Sequence, residues 1–206
     1  MATYKVSYFP WTGNGEIIRL ALVAAGKQFE DERLSWDEWV KIKQKTPAKQ
    51  MPILTVTENA KSTMYGQSAA CAKYIAKKYG LFGRTPEEEL LIDEVFECVA
   101  DLQREIAKFS YEEDETKKAE LRQKVMEEAL PRFNDYFKLR SSTYGKNGYI
   151  IGPKMTLADL HTYNLLDQTS GAIEGLLSSY PELTKHTGIM KSDPKIATWI
   201  KTRPAP

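Results

Sequence analysis

The character of the chain changes at Gly83-Arg84-Thr85-Pro86, and nothing else in the sequence constrains its fold as strongly. Upstream, short alternating runs take turns with helical spacings; downstream, apolar residues recur almost entirely at steps of three and four. The three glutamates after Pro86 suit the first turn of a helix. Such a chain predicts an α/β domain over residues 1–80 joined to an all-helical domain over 81–206.

In the first part, Tyr4 to Phe9 alternates around Val6 and Tyr8 as a strand, closed by Pro-Trp-Thr-Gly-Asn-Gly. Glu16 to Ala25 carries Ile17, Leu20, Ala21 and Ala24 at helical spacing and stops at Gly26, suited to a left-handed C-cap. Phe29 to Leu34 reads as a second strand. Trp36 to Lys45 reads as an irregular helix in which Trp39 and Lys43, four apart, share a face. Met51-Pro52 opens a third strand, because a leading proline needs no ladder partner and admits a cis peptide. A turn at Glu58 to Lys61, a short strand Thr63 to Tyr65 and Gly66 lead into a helix begun by Gln67-Ser68. The order β-α-β-α-β-β-α predicts a mixed sheet covered by helices.

Past the junction, Leu91, Val95, Cys98, Leu102, Ile106 and Phe109 predict one apolar stripe on a long helix, with Glu97, Asp101 and Glu105 along its flank. Thr116 to Leu139 predicts a second helix with Pro131 as a bend or break. SSTYGKNG reads as a loop and Tyr149 to Ile151 as the one candidate strand in this part. Thr156-Leu157-Ala158-Asp159 is a capping box stapled by Met155 and Leu160, opening a buried helix from Leu157 to Leu166. Pro181 and Pro194 begin further short helices.

With 29 basic and 28 acidic residues, no overall field favours nucleic acid or an anionic membrane. No apolar run approaches a membrane span, and the N-terminus lacks the pattern of a signal peptide, so the expected location is cytoplasmic. Cys71 and Cys98 belong to no CxxC or metal-ligand spacing and are expected as buried, reduced thiols.

HExxH, GxSxG, Walker and GxGxxG patterns are absent. His161, one turn into the capped helix, reads either as a core or pocket-wall histidine or as a catalytic one; His186 reads as a surface residue. Glu97, Asp101 and Glu105 read as a solvated flank or as cation ligands, and a helix face of acids alone is not a closed metal site. Gln67-Ser68 reads as a plain N-cap or as a carboxylate-holding pair backed by open N–H groups. Tyr8, at the end of the first strand, is either packing or a phenol that donates to an anion.

The runs KVSYFPWTGNGEIIRLALVAAG, FEDERLSWDEWVKIK, MPILTV, YGQSAACAKYIAKKYGL and TLADL, in this order and spacing, resemble sigma-class glutathione S-transferases over nearly the whole chain. The resemblance implies a thioredoxin-like N-terminal domain with an all-helical C-terminal domain, a homodimer, and glutathione as co-substrate without a metal. It implies that Tyr8 donates its hydroxyl to the glutathione sulfur, so that the thiolate attacks small hydrophobic electrophiles. Trp39 and Lys43 would hold the glycyl carboxylate, Gln50, Met51 and the cis-proline Pro52 the cysteinyl backbone, and Gln67 and Ser68 the γ-glutamyl carboxylate. Asp101 would reach across from the partner subunit. Phe9, Trp11, Asn14, Ile106, Lys108 and His161 would line the electrophile pocket. Three positions depart from the family: Asn14 replaces an arginine that polarises the tyrosine, Lys108 an aromatic pocket residue, and Ala100 interrupts an acidic pair. Detoxifying conjugation is the expected activity, with peroxide reduction by the same thiolate beside it. Prostaglandin D isomerisation and an S-crystallin-like structural role are the alternatives.

Overall fold

Thr3–Tyr8 (β1), Glu30–Arg33 (β2), Ile53–Glu58 (β3) and Lys61–Tyr65 (β4) form one sheet in the computed structural model, which describes residues 2–173 and 175–204. The spatial order is β2-β1-β3-β4, with β1 parallel to β2 and antiparallel to β3, and β3 antiparallel to β4. Among the described residues the chain forms two compact units: those up to Phe82 together with those from Lys191 onward, and Gly83–Met190.

In the first unit, Tyr4, Val6 and Tyr8 alternate onto one face of β1 and are buried. Against the sheet unit lie Glu16–Ala24 (α1) and Ser68–Lys78 (α3), with Ile17, Leu20 and Ala21 of one and Ala72, Ile75 and Ala76 of the other all in the core. Trp36–Ile42 (α2) ends in a 3-10 turn at Lys43–Lys45, the irregular helix the sequence predicts. The last helix of the chain, Pro194–Thr202 (α9), packs on α1, where Trp199 Nε1 donates to Glu16 at 2.7 Å.

The second unit is all helical, as expected: Pro86–Ser110 (α4), Glu115–Lys124 (α5), Leu130–Tyr144 (α6), Leu157–Ala172 (α7) and Pro181–Ser192 (α8). Thr85 caps α4 with Pro86 at its first turn. Its buried face is Ile92, Val95, Phe96, Val99, Leu102 and Phe109, not the predicted stripe. Leu91, Cys98 and Ile106 are only half-buried. Two apolar stripes share Val95, Leu102 and Phe109, and the packing of α4 on α7 selects the one centred on Phe96 and Val99. Between α5 and α6 a π-turn, Val125–Ala129, absorbs the donor that Pro131 lacks, so the expected bend takes the form of a widened turn.

Three further expectations are corrected. α6 continues to Tyr144, so half of SSTYGKNG is helical. Tyr149 to Ile151 is not a strand, because the Ile150 N–H donates to the Asp159 carboxylate at 2.8 Å; a lone bridge joins Gly145 and Gly152 instead. His186 is not at the surface but 1% exposed, on the buried Leu183, His186, Thr187 and Met190 face of α8, with Nε2 3.2 Å from Asp159. That same carboxylate closes the predicted capping box of α7 through Thr156 N at 2.8 Å and Oγ1 at 2.9 Å.

Candidate active site

Tyr8 is placed by the strand that ends with it and by the glycines that follow. Its side chain is buried, and the turn after β1 folds back over the ring so closely that a Cβ on Gly15 would lie 2.7 Å from Tyr8 Cγ, and one on Gly13 2.7 Å from Oη. Gly13 also has φ +44°, where side chains are strained. The Asn14 N–H donates to Tyr8 Oη at 3.2 Å, so the hydroxyl accepts from the main chain and keeps its own proton for another acceptor. The Arg19 guanidinium lies 5.8 Å from the centre of the Tyr8 ring.

That cation belongs to a buried charge network invisible in the sequence. Arg19 is fully buried and donates to Asp31 at 2.7 Å, to Glu16 at 3.1 Å and to the Trp11 carbonyl at 3.1 Å. Glu16, 1% exposed, also accepts from Trp199 and Arg203, each at 2.7 Å, and Asp31 accepts from Arg33 at 2.9 Å. Three arginines therefore face two carboxylates, a geometry in which each buried charge is paired and hydrogen-bonded.

Beside the end of β1 lies an open cleft of about 440 Å³ lined by Phe9, Asn14, Trp36, Trp39, Lys43, Lys49, Gln50, Met51, Pro52, Gln67 and Ser68. The sequence-assigned Trp39, Lys43, Gln50, Met51, Pro52, Gln67 and Ser68 thus meet in one place. The Met51-Pro52 peptide is cis, and Gln50 and Met51 precede the first ladder residue of β3. Gln67 sits at the N-cap of α3 with φ +68° and makes no side-chain cap, leaving the first-turn N–H groups without one from that residue. Lys49 has φ +50°. Two non-glycine residues held in the left-handed region at one cleft are the kind of backbone strain that concentrates at functional sites. The turn carrying Gln67 is fixed from behind by Cys71, whose thiol donates to the Gly66 carbonyl at 3.3 Å.

Sequence reasoning missed Trp36 and Lys49. The signal for Trp36 was present: Ser35 and Glu38 form a capping box that fixes the start of α2 and hence the position of the indole next to it. The Ser35 hydroxyl and backbone N–H bonding to Glu38 also hold that carboxyl below the ordinary range. Phe9 stacks between Trp11, at 4.7 Å, and Trp36, at 5.9 Å.

The remaining assigned residues belong to the second unit. Asp101, exposed on α4, pairs with Arg104 and borders a crevice of about 280 Å³ with Cys98, Arg132 and Tyr136. Lys108 is exposed and paired with Glu105 at 2.7 Å, and Ile106 is half-buried. His161 is buried with its ring stacked on Phe96 at 3.9 Å, part of the seam between α4 and α7. Among the described residues no cluster of three or more histidine, cysteine or acidic side chains is arranged to hold a metal, and no helix is long and apolar enough to cross a membrane.

Both thiols are free. Burial pushes Cys71 up to about 11 and raises Cys98 as well. Since the thiolate is the reactive form, a disulfide reagent at neutral pH is expected to titrate Cys98 slowly and Cys71 only after unfolding. Rapid native-state labelling that disappears in a Cys71→Ser variant would contradict this.

Residues 100–203 match the family model for the glutathione S-transferase C-terminal domain. Glutathione S-transferase 1 of Ascaris suum is 33% identical over 211 residues, covering 99% of this chain and 98% of the relative. Among solved structures, a Nu-class glutathione transferase from Haemonchus contortus superposes with TM-score 0.89 at 32% identity, covering 100% of this chain and 99% of the other. One described as monomeric, Na-GST-3 of Necator americanus, gives 0.88 at 32% identity, covering 99% and 98%. With identity at this level along the entire length and a thioredoxin-like sheet unit followed by an all-helical one, the chain belongs to the glutathione S-transferase family.

Proposed function

We propose that the cleft beside β1 holds glutathione and that Tyr8 stabilises its thiolate for attack on electrophiles. The observation that carries this reading is the convergence in one cleft of a cation, Lys43, an indole, Trp39, unladdered backbone before Pro52, and a helix start at Gln67-Ser68. Those features match a peptide with a carboxylate at each end: the ammonium and the open helix start each take one, and the backbone between pairs as an added strand would. Tyr8 Oη, accepting from Asn14 N, has its proton left for the sulfur. A hydrogen bond to the charged form lowers a thiol's pKa, each unit corresponding to about 1.4 kcal/mol. Asn14 brings no cation to the tyrosine; Arg19 supplies one at the ring instead.

In conjugation of an aryl halide, the sulfur forms a bond to the ring carbon, and the carbon–halogen bond breaks with its electron pair leaving as halide. Reduction of peroxides would use the same thiolate. Phe9 and Trp11, on the turn after Tyr8, stand on the electrophile side in this reading, and in a homodimer Asp101 of the second copy would meet the γ-glutamyl amine. The five runs from KVSYFPWTGNGEIIRLALVAAG to TLADL, taken together in their order and spacing, favour the sigma class.

Calorimetric titration with glutathione, followed by conjugation of chlorodinitrobenzene, tests the proposal. Saturable binding and glutathione-dependent turnover are expected. Absence of binding to the folded protein would overturn it.

A further inference from the structure

Trp36 stands out in the first unit because it is 64% exposed although it sits on a helix whose start is rigidly fixed. A single exposed indole is ordinary, but one that belongs to a contiguous apolar patch on a preorganised element marks a binding surface. It is not alone. Phe9 stacks on Trp36 with 15° between ring planes and on Trp11 with 22°, and Trp11 is itself 47% exposed. The three rings come from two separate segments, so their stacking depends on what holds those segments together.

One main-chain hydrogen bond and two arginine side chains do so. The Leu34 N–H donates to the Tyr8 carbonyl at 2.8 Å, carrying the parallel pairing of β1 and β2 one step further and delivering Ser35 and Trp36 beside Phe9. Arg33 reaches the Pro10 carbonyl at 3.4 Å, and Arg19 holds the Trp11 carbonyl at 3.1 Å from the buried side. The capping box of Ser35 and Glu38 then sets the direction in which α2 leaves. Phe9 and Trp36 both line the cleft assigned to glutathione.

We propose that Trp36, stacked through Phe9 on Trp11, is a specificity-determining platform that selects flat, π-faced electrophiles, such as activated aryl halides and quinones, over ring-less ones. The inference rests on the glutathione reading of the cleft. The physical ground is that a planar electron-poor ring gains offset stacking on an electron-rich indole, whereas an alkenal or alkyl electrophile gains only area. Because the indole is already held, little side-chain order is lost when the ring arrives. The platform adds nothing to the chemistry at sulfur; it acts on which electrophile dwells beside it.

The test compares chlorodinitrobenzene with hexenal on the full-length protein, as wild type, Trp36→Ala and Trp36→Phe. Trp36→Ala is expected to lower the ratio of kcat/KM for the aryl halide to that for hexenal roughly two- to tenfold, as aromatic stacking energies imply. The change should fall in KM for the aryl halide rather than in kcat, and Trp36→Phe should recover most of the ratio. An unchanged ratio, or equal losses on both substrates, overturns the platform. So does an unchanged ratio accompanied by an altered association state in sedimentation, which would mark the surface as a protein contact. Failure of the wild type to bind glutathione would remove the functional reading itself. The platform is then judged by a second measurement that needs no glutathione: titration with dinitrobenzene, which has no leaving group, followed by indole N–H signals in NMR. The chain has four tryptophans. Shifts confined to the Trp11 and Trp36 signals support the platform, and their absence overturns it.

Discussion

A Tyr8→Phe variant is expected to fold, to bind glutathione, and to conjugate an aryl halide with kcat/KM reduced roughly 10- to 150-fold, the worth of one hydrogen bond to a charged partner. The ring keeps its packing against Gly13 and Gly15, so stability should change little; what would be lost, in the role proposed for Tyr8, is the proton offered to sulfur. The sign of the pH dependence follows. Without that donor the bound thiol titrates nearer the ordinary thiol value of about 8.5, so the acidic limb of the kcat/KM profile moves to higher pH. The deficit is therefore widest in mildly acidic solution and narrows once pH exceeds the thiol value. Parallel profiles for wild type and variant would show that Tyr8 does not act on sulfur ionisation.

A Glu16→Ala variant is expected to be among the most destabilised single changes in the first unit. Its carboxylate is almost fully buried and accepts from Arg19, Trp199 and Arg203. Removing it leaves Arg19, with no solvent exposure, to Asp31 and the Trp11 carbonyl alone. Breaking a buried, hydrogen-bonded charge pair from one side costs about 3–5 kcal/mol, a large part of the 5–15 kcal/mol that holds a typical domain together. Urea unfolding followed by tryptophan fluorescence measures it. Arg203→Ala, at the wetter end of the network, should cost clearly less, and equal costs would show that the network is not anchored on Glu16.

Much of the sheet unit was legible because its signals are local. The alternation through Tyr4, Val6 and Tyr8, the proline ahead of Ile53 and the polar start at Gln67-Ser68 each follow from neighbours in the chain. Trp39, Lys43, Gln50, Met51, Pro52, Gln67 and Ser68 line one cleft, since the same short runs carry both the fold and the lining. What escaped depended on distant partners. Glu16 looks like an ordinary first-turn acid, and nothing nearby announces that Trp199 and Arg203 will bury it. His186 looks like a surface residue until Asp159 is beside it. On α4 two overlapping apolar stripes were equally consistent with the spacing, and only the packing on α7 distinguishes them. The left-handed backbone of Lys49 and Gln67 has no residue-type signature, since neither is glycine or asparagine.

The docking of α9 on α1 bears on how the protein is made. Glu16 emerges from the ribosome well ahead of its partners Trp199 and Arg203, which lie 183 and 187 residues further along the chain. Until then Arg19 must be buried against an incomplete set of partners, or not buried at all. The sheet unit therefore cannot close its buried network until those residues have been made, in contrast to the usual pattern in which an N-terminal domain folds first. A nascent chain cut off after Phe82 would carry the strands, the tyrosine and every residue that lines the cleft, yet lack the indole and guanidinium that complete the network around Glu16. Arrival of Trp199 and Arg203 is thus the step that completes the sheet unit, and loss of both would be felt through Glu16 and Arg19 at the Tyr8 ring.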